Sequence, residues 1–339
     1  MAMPSSTYWQ DGNLTLAVNN GSLAQSRLDD MATRIIASWY RLNELGNDAF
    51  ENPGFGMPVS LSSPHTLVDA RDPSSKDTLL QSAIEGHVLV KNTGVLPLSK
   101  PRFLSLFGYD ALPAAIDTLT PGFFSKWSFG LTNTQNYPNG TVFTEQELLL
   151  LFLSSDSASN RGPGVALNGT MISGGGSGAT TPSYIDAPYD AFLRQAYEDD
   201  TFLAWDFVNQ NPLVNQGSEH CIVFINALAS EGWDRPDLAD PGSDMLVNNV
   251  ASQCNSTIVV IHNAGIRLVD RWVDNPNITA VIYAHLPGQD SGRALVDVMY
   301  GKQSPSGRLP YTVAHNESDY GILLSPVVPV GTDYYTQGK

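Results

Sequence analysis

Residues 221–227 read Cys-Ile-Val-Phe-Ile-Asn-Ala, 257–263 read Thr-Ile-Val-Val-Ile-His-Asn, and 278–285 read Ile-Thr-Ala-Val-Ile-Tyr-Ala-His. Each is a continuous apolar run of strand length, rich in β-branched residues. The segments that follow them predict amphipathic helices over Ser243 to Cys254, Gly265 to Asn275 and Gln289 to Tyr300. Strands that are apolar on both faces and alternate with helices specify a mostly parallel sheet covered on both sides, a three-layer α/β sandwich. Crossovers in such a sheet are right-handed, and ligands approach the carboxyl ends of its strands. The loops after Ala227, Asn263 and His285 are therefore where chemistry is expected.

Upstream, the pattern predicts a strand over Phe103 to Phe107 and a helix over about Ser74 to Lys91. Residues 46–77 are rich in Pro, Gly, Ser and Asp with little periodicity and read as a linker. Before it, Arg27 to Leu42 carries Leu28, Met31, Ile35, Trp39 and Leu42 at spacings of three and four, an amphipathic helix. The implied organisation is a first element over 1–45, a linker over 46–77, the α/β domain over 78–325 and a connecting tail over 326–339.

The chain has 339 residues, of which 42% are hydrophobic and 15% charged, enough to bury a large core. Eighteen basic against 34 acidic side chains give a net charge of -16, which repels nucleic acid and anionic membrane surfaces and suits a neutral ligand such as a sugar. No apolar run approaches the roughly 18–20 residues of a membrane span. Met1 to Trp9 carry no basic start and no apolar core of a secretory signal. N-x-S/T sequons stand at Asn13, Asn20, Asn139, Asn168, Asn255, Asn277 and Asn316, and so many in one chain point to a secreted, extracellular glycoprotein. Cys221 and Cys254 fit either one disulfide in an oxidising compartment or two free buried thiols. None of the histidines (His65, His87, His220, His262, His285, His315) forms a ligand pair at helical spacing, so neither a metal nor an organic cofactor is expected. His262 and His285, late in apolar strands, read as hydrogen-bonded core or cleft residues.

The loop after the strand at 221–227 reads Ala229-Ser230-Glu231-Gly232-Trp233-Asp234-Arg235-Pro236. Glu231 stands where a sheet enzyme projects a catalytic group, Trp233 could stack on a sugar face, and Asp234 with Arg235 could pin the loop. By themselves these residues read more simply as a solvated loop glutamate beside a structural tryptophan.

Further motifs narrow the choice. The run Val88-Leu89-Val90-Lys91-Asn92 before Leu96-Pro97-Leu98 resembles the opening of the second domain of family 3 glycoside hydrolases. Leu286-Pro287-Gly288-Gln289-Asp290-Ser291-Gly292, Gly301-Lys302 and Ser304-Pro305-Ser306-Gly307-Arg308-Leu309-Pro310-Tyr311 resemble the same family's long sandwich-domain motif, and the resemblance is strongest to its fungal β-glucosidase branch. The resemblance implies a six-stranded α/β sandwich facing a barrel domain across a cleft. The barrel supplies the nucleophilic aspartate and the sandwich often supplies the acid/base glutamate. Ser230-Glu231-Gly232 matches the family's Ser-Glu-Gly loop, which makes Glu231 the implied acid/base and places Trp233 and Asp234 beside the substrate. The implied substrate is a β-glucoside or cello-oligosaccharide, cleaved with retention to release terminal β-D-glucose.

No Ser-Asp-Trp-like nucleophile motif occurs in the chain, and the helix at Arg27 to Leu42 resembles the last helix of the barrel, a remnant whose missing barrel domain would be its partner. Glu145, Glu147 and Asp290 have no context that makes them replacement nucleophiles, and Asp290 is expected to cap the helix that follows it. Two competing expectations follow: a catalytically inactive carbohydrate- or partner-binding module, and a structural remnant with exposed apolar surface.

Overall fold

The computed structural model describes residues 12–43, 71–113, 164–167, 169–174, 184–229, 235 and 237–324. They divide between two compact units. The first holds helices α1 (Asn13–Asn19) and α2 (Gln25–Asn43). On α2, Ile35, Ile36, Trp39 and Tyr40 are each more than half exposed.

The second unit is built on six strands: β1 (Val88–Asn92), β2 (Phe103–Phe107), β3 (Phe202–Asp206), β4 (His220–Ala227), β5 (Thr257–Asn263) and β6 (Ile278–Tyr283). They lie in the order β1-β6-β5-β4-β2-β3, parallel throughout except for β1, which runs antiparallel to β6 at one edge. The helices are α3 (Lys76–Glu85), α4 (Pro188–Asp199), α5 (Pro241–Ala251) and α6 (Ser291–Met299). Alternate residues of each strand serve opposite faces. Cys221, Val223 and Ile225 of β4 with Val259 and Ile261 of β5 pack on Leu246, Val247 and Val250 of α5. Ile222, Phe224, Ile258 and Val260 face the other way, onto Phe192 of α4 and Leu295, Val296 and Met299 of α6. Ala83 and Ile84 of α3 pack in turn on Ala294 and Val298. This is the three-layer sandwich expected from the apolar runs. Cys221 and Cys254 are joined as a disulfide that ties the start of β4 to the residues just after α5.

Three local expectations need correction. The helix expected through Lys91 ends at Glu85, because Gly86 and His87 turn the chain and Val88–Asn92 pairs with β6 as an edge strand. Val-Leu-Val suits a pleated surface better than a helix. The segment from Gly265 to Asn275 is turns and extended chain rather than a helix. Its organiser is Arg267, fully buried, whose guanidinium donates to Asp244 Oδ1 (2.6 Å) while Trp272 Nε1 donates to the same oxygen (2.8 Å) and Tyr283 Oη donates to the Arg267 carbonyl (2.7 Å). A buried ion pair with these satellites fixes the backbone more strongly than weak helix periodicity. Asp290 stands at the N-cap of α6 but makes no capping bond. Its carboxylate accepts from Tyr184 Oη at 2.9 Å and lies 3.8 Å from Arg293.

Two close approaches set the spacing of the layers. Gly292, in the first turn of α6, lies so near the start of α4 that a Cβ would sit 2.2 Å from the Ala187 carbonyl oxygen. Gly292→Ala is therefore expected to lower unfolding free energy by about 3 kcal/mol through overpacking, read as an earlier midpoint in urea denaturation. A midpoint within error of wild type would show that the helices can separate at no cost.

His87, fully buried between α3 and β1, has Nδ1 2.6 Å from the Ala83 carbonyl oxygen, so Nδ1 carries the proton. Burial, with His262 and His285 adding to it, pushes its pKa down from 6.5 to about 4. The unfolded chain takes up this proton near pH 6.5 and the folded chain only near pH 4. Stability from this group is complete above pH 6.5 and lost as pH falls from 6.5 to 4, by about 3 kcal/mol in all. In His87→Leu the slope of unfolding free energy against pH over that window should be visibly flatter; an unchanged slope would mean that His87 charges in the fold.

Candidate active site at the switch point of the sheet

The chain leaves β2 toward β3 by way of α4 on one face, and leaves β4 toward β5 by way of α5 on the other. Since β2 and β4 are neighbours, their carboxyl ends flank the point where the winding reverses. In parallel sheets that point opens a crevice, because the two outgoing connections diverge. Two loops meet there: Gly108-Tyr109-Asp110 after β2, and the loop that begins at Leu228 after β4.

Gly108 makes the first loop possible. Its φ is +98° and an added Cβ would lie 2.2 Å from the Phe224 carbonyl oxygen, so the chain crosses directly over β4 and delivers Asp110 to the end of the sheet. There Asp110 is fully buried. Its Oδ1 accepts from Met171 N (2.8 Å) and Asn226 Nδ2 (2.7 Å), and its Oδ2 faces His262 Nδ1. His262 Nε2 is 3.0 Å from Ser291 Oγ, which is 3.3 Å from Thr170 Oγ1. Because Nδ1 faces a carboxylate it carries the ring proton, and Nε2 accepts from the serine hydroxyl in the neutral ring. Burial holds the Asp110 pKa above the usual carboxylate value, and the adjacent His262, Asn226 and the Met171 N–H offset only part of that rise.

Asn226 uses its whole side chain. Oδ1 accepts from Ala166 N (2.9 Å), and Nδ2 donates to the Ala166 carbonyl (2.7 Å) as well as to Asp110. Its own N–H donates to Tyr109 Oη at 3.1 Å, and that hydroxyl is 2.7 Å from Ser243 Oγ at the start of α5. Burial raises the Tyr109 pKa, so it stays a neutral phenol.

A second chain of bonds lies at the ends of β5 and β6. His285, in the left-handed region at φ 52°, has Nδ1 3.0 Å from the Gly86 carbonyl oxygen and Nε2 3.0 Å from Tyr311 Oη. A carbonyl only accepts, so Nδ1 bears the proton and Tyr311 donates to Nε2, while Asn263 Nδ2 donates to Tyr311 Oη at 2.7 Å. Arg235 Nη2 donates to the Ile266 carbonyl at 2.6 Å, and burial lowers the Arg235 pKa, with Arg267 adding to it.

Glu231, Trp233 and Asp234 lie outside the described residues, as do Glu145, Glu147, Asn139 and Asn168. The structure describes the two feet of their loop, Ala229 and Arg235. Leu228 N donates to the Gly164 carbonyl (2.8 Å) and Ala264 N to the Ala227 carbonyl (2.9 Å), so the departing chain is held from both sides. Among the sequons, Asn13, Asn20, Asn255 and Asn316 are exposed, whereas the half-buried Asn277 spends its amide nitrogen on the Ala251 carbonyl at 2.8 Å. Sequence reading missed Asp110, Asn226 and Ser291 as site residues. The legible signal was a strand ending in Gly108 with an acid two residues on; which partners that acid meets depends on strand order.

Comparison with known proteins identifies the family and agrees with the fold. Residues 87–338 match the glycosyl hydrolase family 3 C-terminal domain. The chain is 51% identical over 330 residues to a probable beta-glucosidase M of Aspergillus fumigatus, covering 97% of this chain and 38% of that protein. It is 49% identical over 323 residues to beta-glucosidase cel3A of Pyricularia oryzae, covering 95% and 39%. The solved family 3 beta-glucosidase of Neurospora crassa superposes with a TM-score of 0.68 at 32% identity, over 97% of this chain and 38% of that one. The chain thus spans about two fifths of the length of the relatives it matches. The match over residues 87–338, on a six-stranded and mostly parallel sheet, makes this chain a member of glycosyl hydrolase family 3 that carries the family's C-terminal domain.

Proposed function

We propose that the chain is the acid/base-bearing part of a retaining β-glucosidase that releases terminal β-D-glucose from β-glucosides and cello-oligosaccharides. The observation that carries this reading is the place of Glu231. It follows Ala227, the last residue of β4, by four positions, in the loop that leaves the sheet at its topological switch point. That the relatives matched across nearly the whole chain bear the name beta-glucosidase supports the substrate class.

Retention requires two carboxyl groups about 5 Å apart, one attacking the anomeric carbon while the other protonates the departing oxygen. Glu231 takes the second part: protonated, it gives its proton to the leaving oxygen, and as carboxylate it then takes one from the water that opens the glycosyl-enzyme. The nucleophilic carboxylate comes from outside these 339 residues. Trp233 and Asp234, on the same loop, line the sugar site. The first step requires Glu231 to hold its proton while substrate is bound, as the acid of a retaining pair must. The exposed sequons at Asn13, Asn20, Asn255 and Asn316 support a secreted glycoprotein, with Asn277 a poor acceptor while its amide stays bound.

The test joins this chain to the remaining part of the Aspergillus fumigatus relative in place of that protein's matching segment. Glu231→Ala should cut kcat/KM for cellobiose by on the order of 10³, and far less for a dinitrophenyl glucoside, whose leaving group needs no proton. Equal losses on both substrates would remove the acid role. Sugar binding by the unsubstituted hybrid without any turnover would favour a binding module.

A further inference from the structure

The order Asp110, His262, Ser291 copies the connectivity of a nucleophilic triad, with carboxylate on Nδ1 and hydroxyl on Nε2. All three side chains are fully buried, and Ser291 sits at the first position of α6 beneath α3 and α4. A nucleophile must reach its substrate, so this chain of bonds has another use. Its far end is Asn226, which joins Asp110 to both backbone groups of Ala166. Asn226 is also the residue before the end of β4, and Leu228 continues the contact through Gly164. The amide therefore bolts 164–167 against β4 where the Glu231 loop departs, and His262 with Ser291 fastens the bolt to α6.

We propose that Asn226 and Asp110 are positioning residues: they fix the foot of the loop that carries Glu231, and His262 and Ser291 hold Asp110 in place for that purpose. This rests on Glu231 being the acid/base. Fixing the foot matters because a catalytic acid displaced by about 1 Å loses on the order of 10²-fold in rate.

In the hybrid with the Aspergillus fumigatus relative, Asn226→Ala should lower kcat/KM for cellobiose at least tenfold more than for the dinitrophenyl glucoside, with kcat carrying the change. General loss of folded protein would lower both equally, so the ratio separates positioning from stability. Ser291→Ala removes the remote end of the chain without touching β4 and should shift the ratio in the same direction by a smaller factor; it decides the matter where Asn226→Ala does not fold. If Glu231→Ala changes the ratio and neither of these variants does, the positioning role is overturned. If Glu231→Ala leaves the ratio unchanged, the acid/base reading fails, and hydrogen exchange of the 339-residue chain decides the clamp by itself. Amides of 227–238 should then exchange at least tenfold faster in Asn226→Ala, or in Ser291→Ala, with those of α5 unchanged. Unaltered protection across 227–238 would overturn the clamp.

Discussion

A carboxylate with no exposure to water, Asp110, is the constraint around which the carboxyl end of this sheet is arranged. An unpaired charge in the interior destabilises a fold by far more than any one packing interaction around it can offset. The fold answers with three donors from three places: the Asn226 amide on β4, the Met171 N–H, and the His262 ring on β5. The two side-chain donors are themselves tied down, Asn226 by Ala166 and His262 by Ser291. Satisfying one charge thus fixes the relative positions of β2, β4, β5 and α6 at the end where the chemistry is proposed to occur.

The opposite half of the same end is held by a chain of side-chain hydrogen bonds. Asn263, Tyr311 and His285 form a directed run of bonds finishing on the Gly86 carbonyl, which brings the segment after α6 back over β5 and β6. Arg267 and Asp244 do comparable work on the α5 face, and there the buried ion pair carries Trp272 and Tyr283 with it. The side-chain and backbone bonds gathered on Arg267 and Asp244 hold the β5 to β6 connection in turns and extended chain in place of its weak helical pattern.

The layers beneath are set by close backbone approach. Gly108 lets the chain leaving β2 pass close over β4, Gly292 lets α6 meet α4, and both are glycines whose replacement would collide with a carbonyl rather than a movable side chain. In the proposed enzyme such rigidity is useful, since a loop carrying an acid/base is only as well placed as the strand ends beneath it.

The sequence by itself determined the class of the fold. The runs at 221–227, 257–263 and 278–285 are mostly apolar on both alternating sets of positions, as suits strands covered on both faces, and the segments between them supply the covering layers. The motifs from Val88 to Leu98 and from Leu286 to Tyr311 likewise placed the chain in its family and drew attention to Glu231. Short or edge elements were not legible: β1 reads as the end of a helix, and the helix expected at 265–275 is displaced by Arg267. Which strands are neighbours was decided only in three dimensions. Asp110 and His262 are 152 positions apart, and Asp110 and Asn226 are 116 apart, so their bonds follow from the order β6-β5-β4-β2 and leave no local mark. Local propensity records what a residue does with its near neighbours along the chain, whereas a buried charge finds its partners through the packing of the whole sheet.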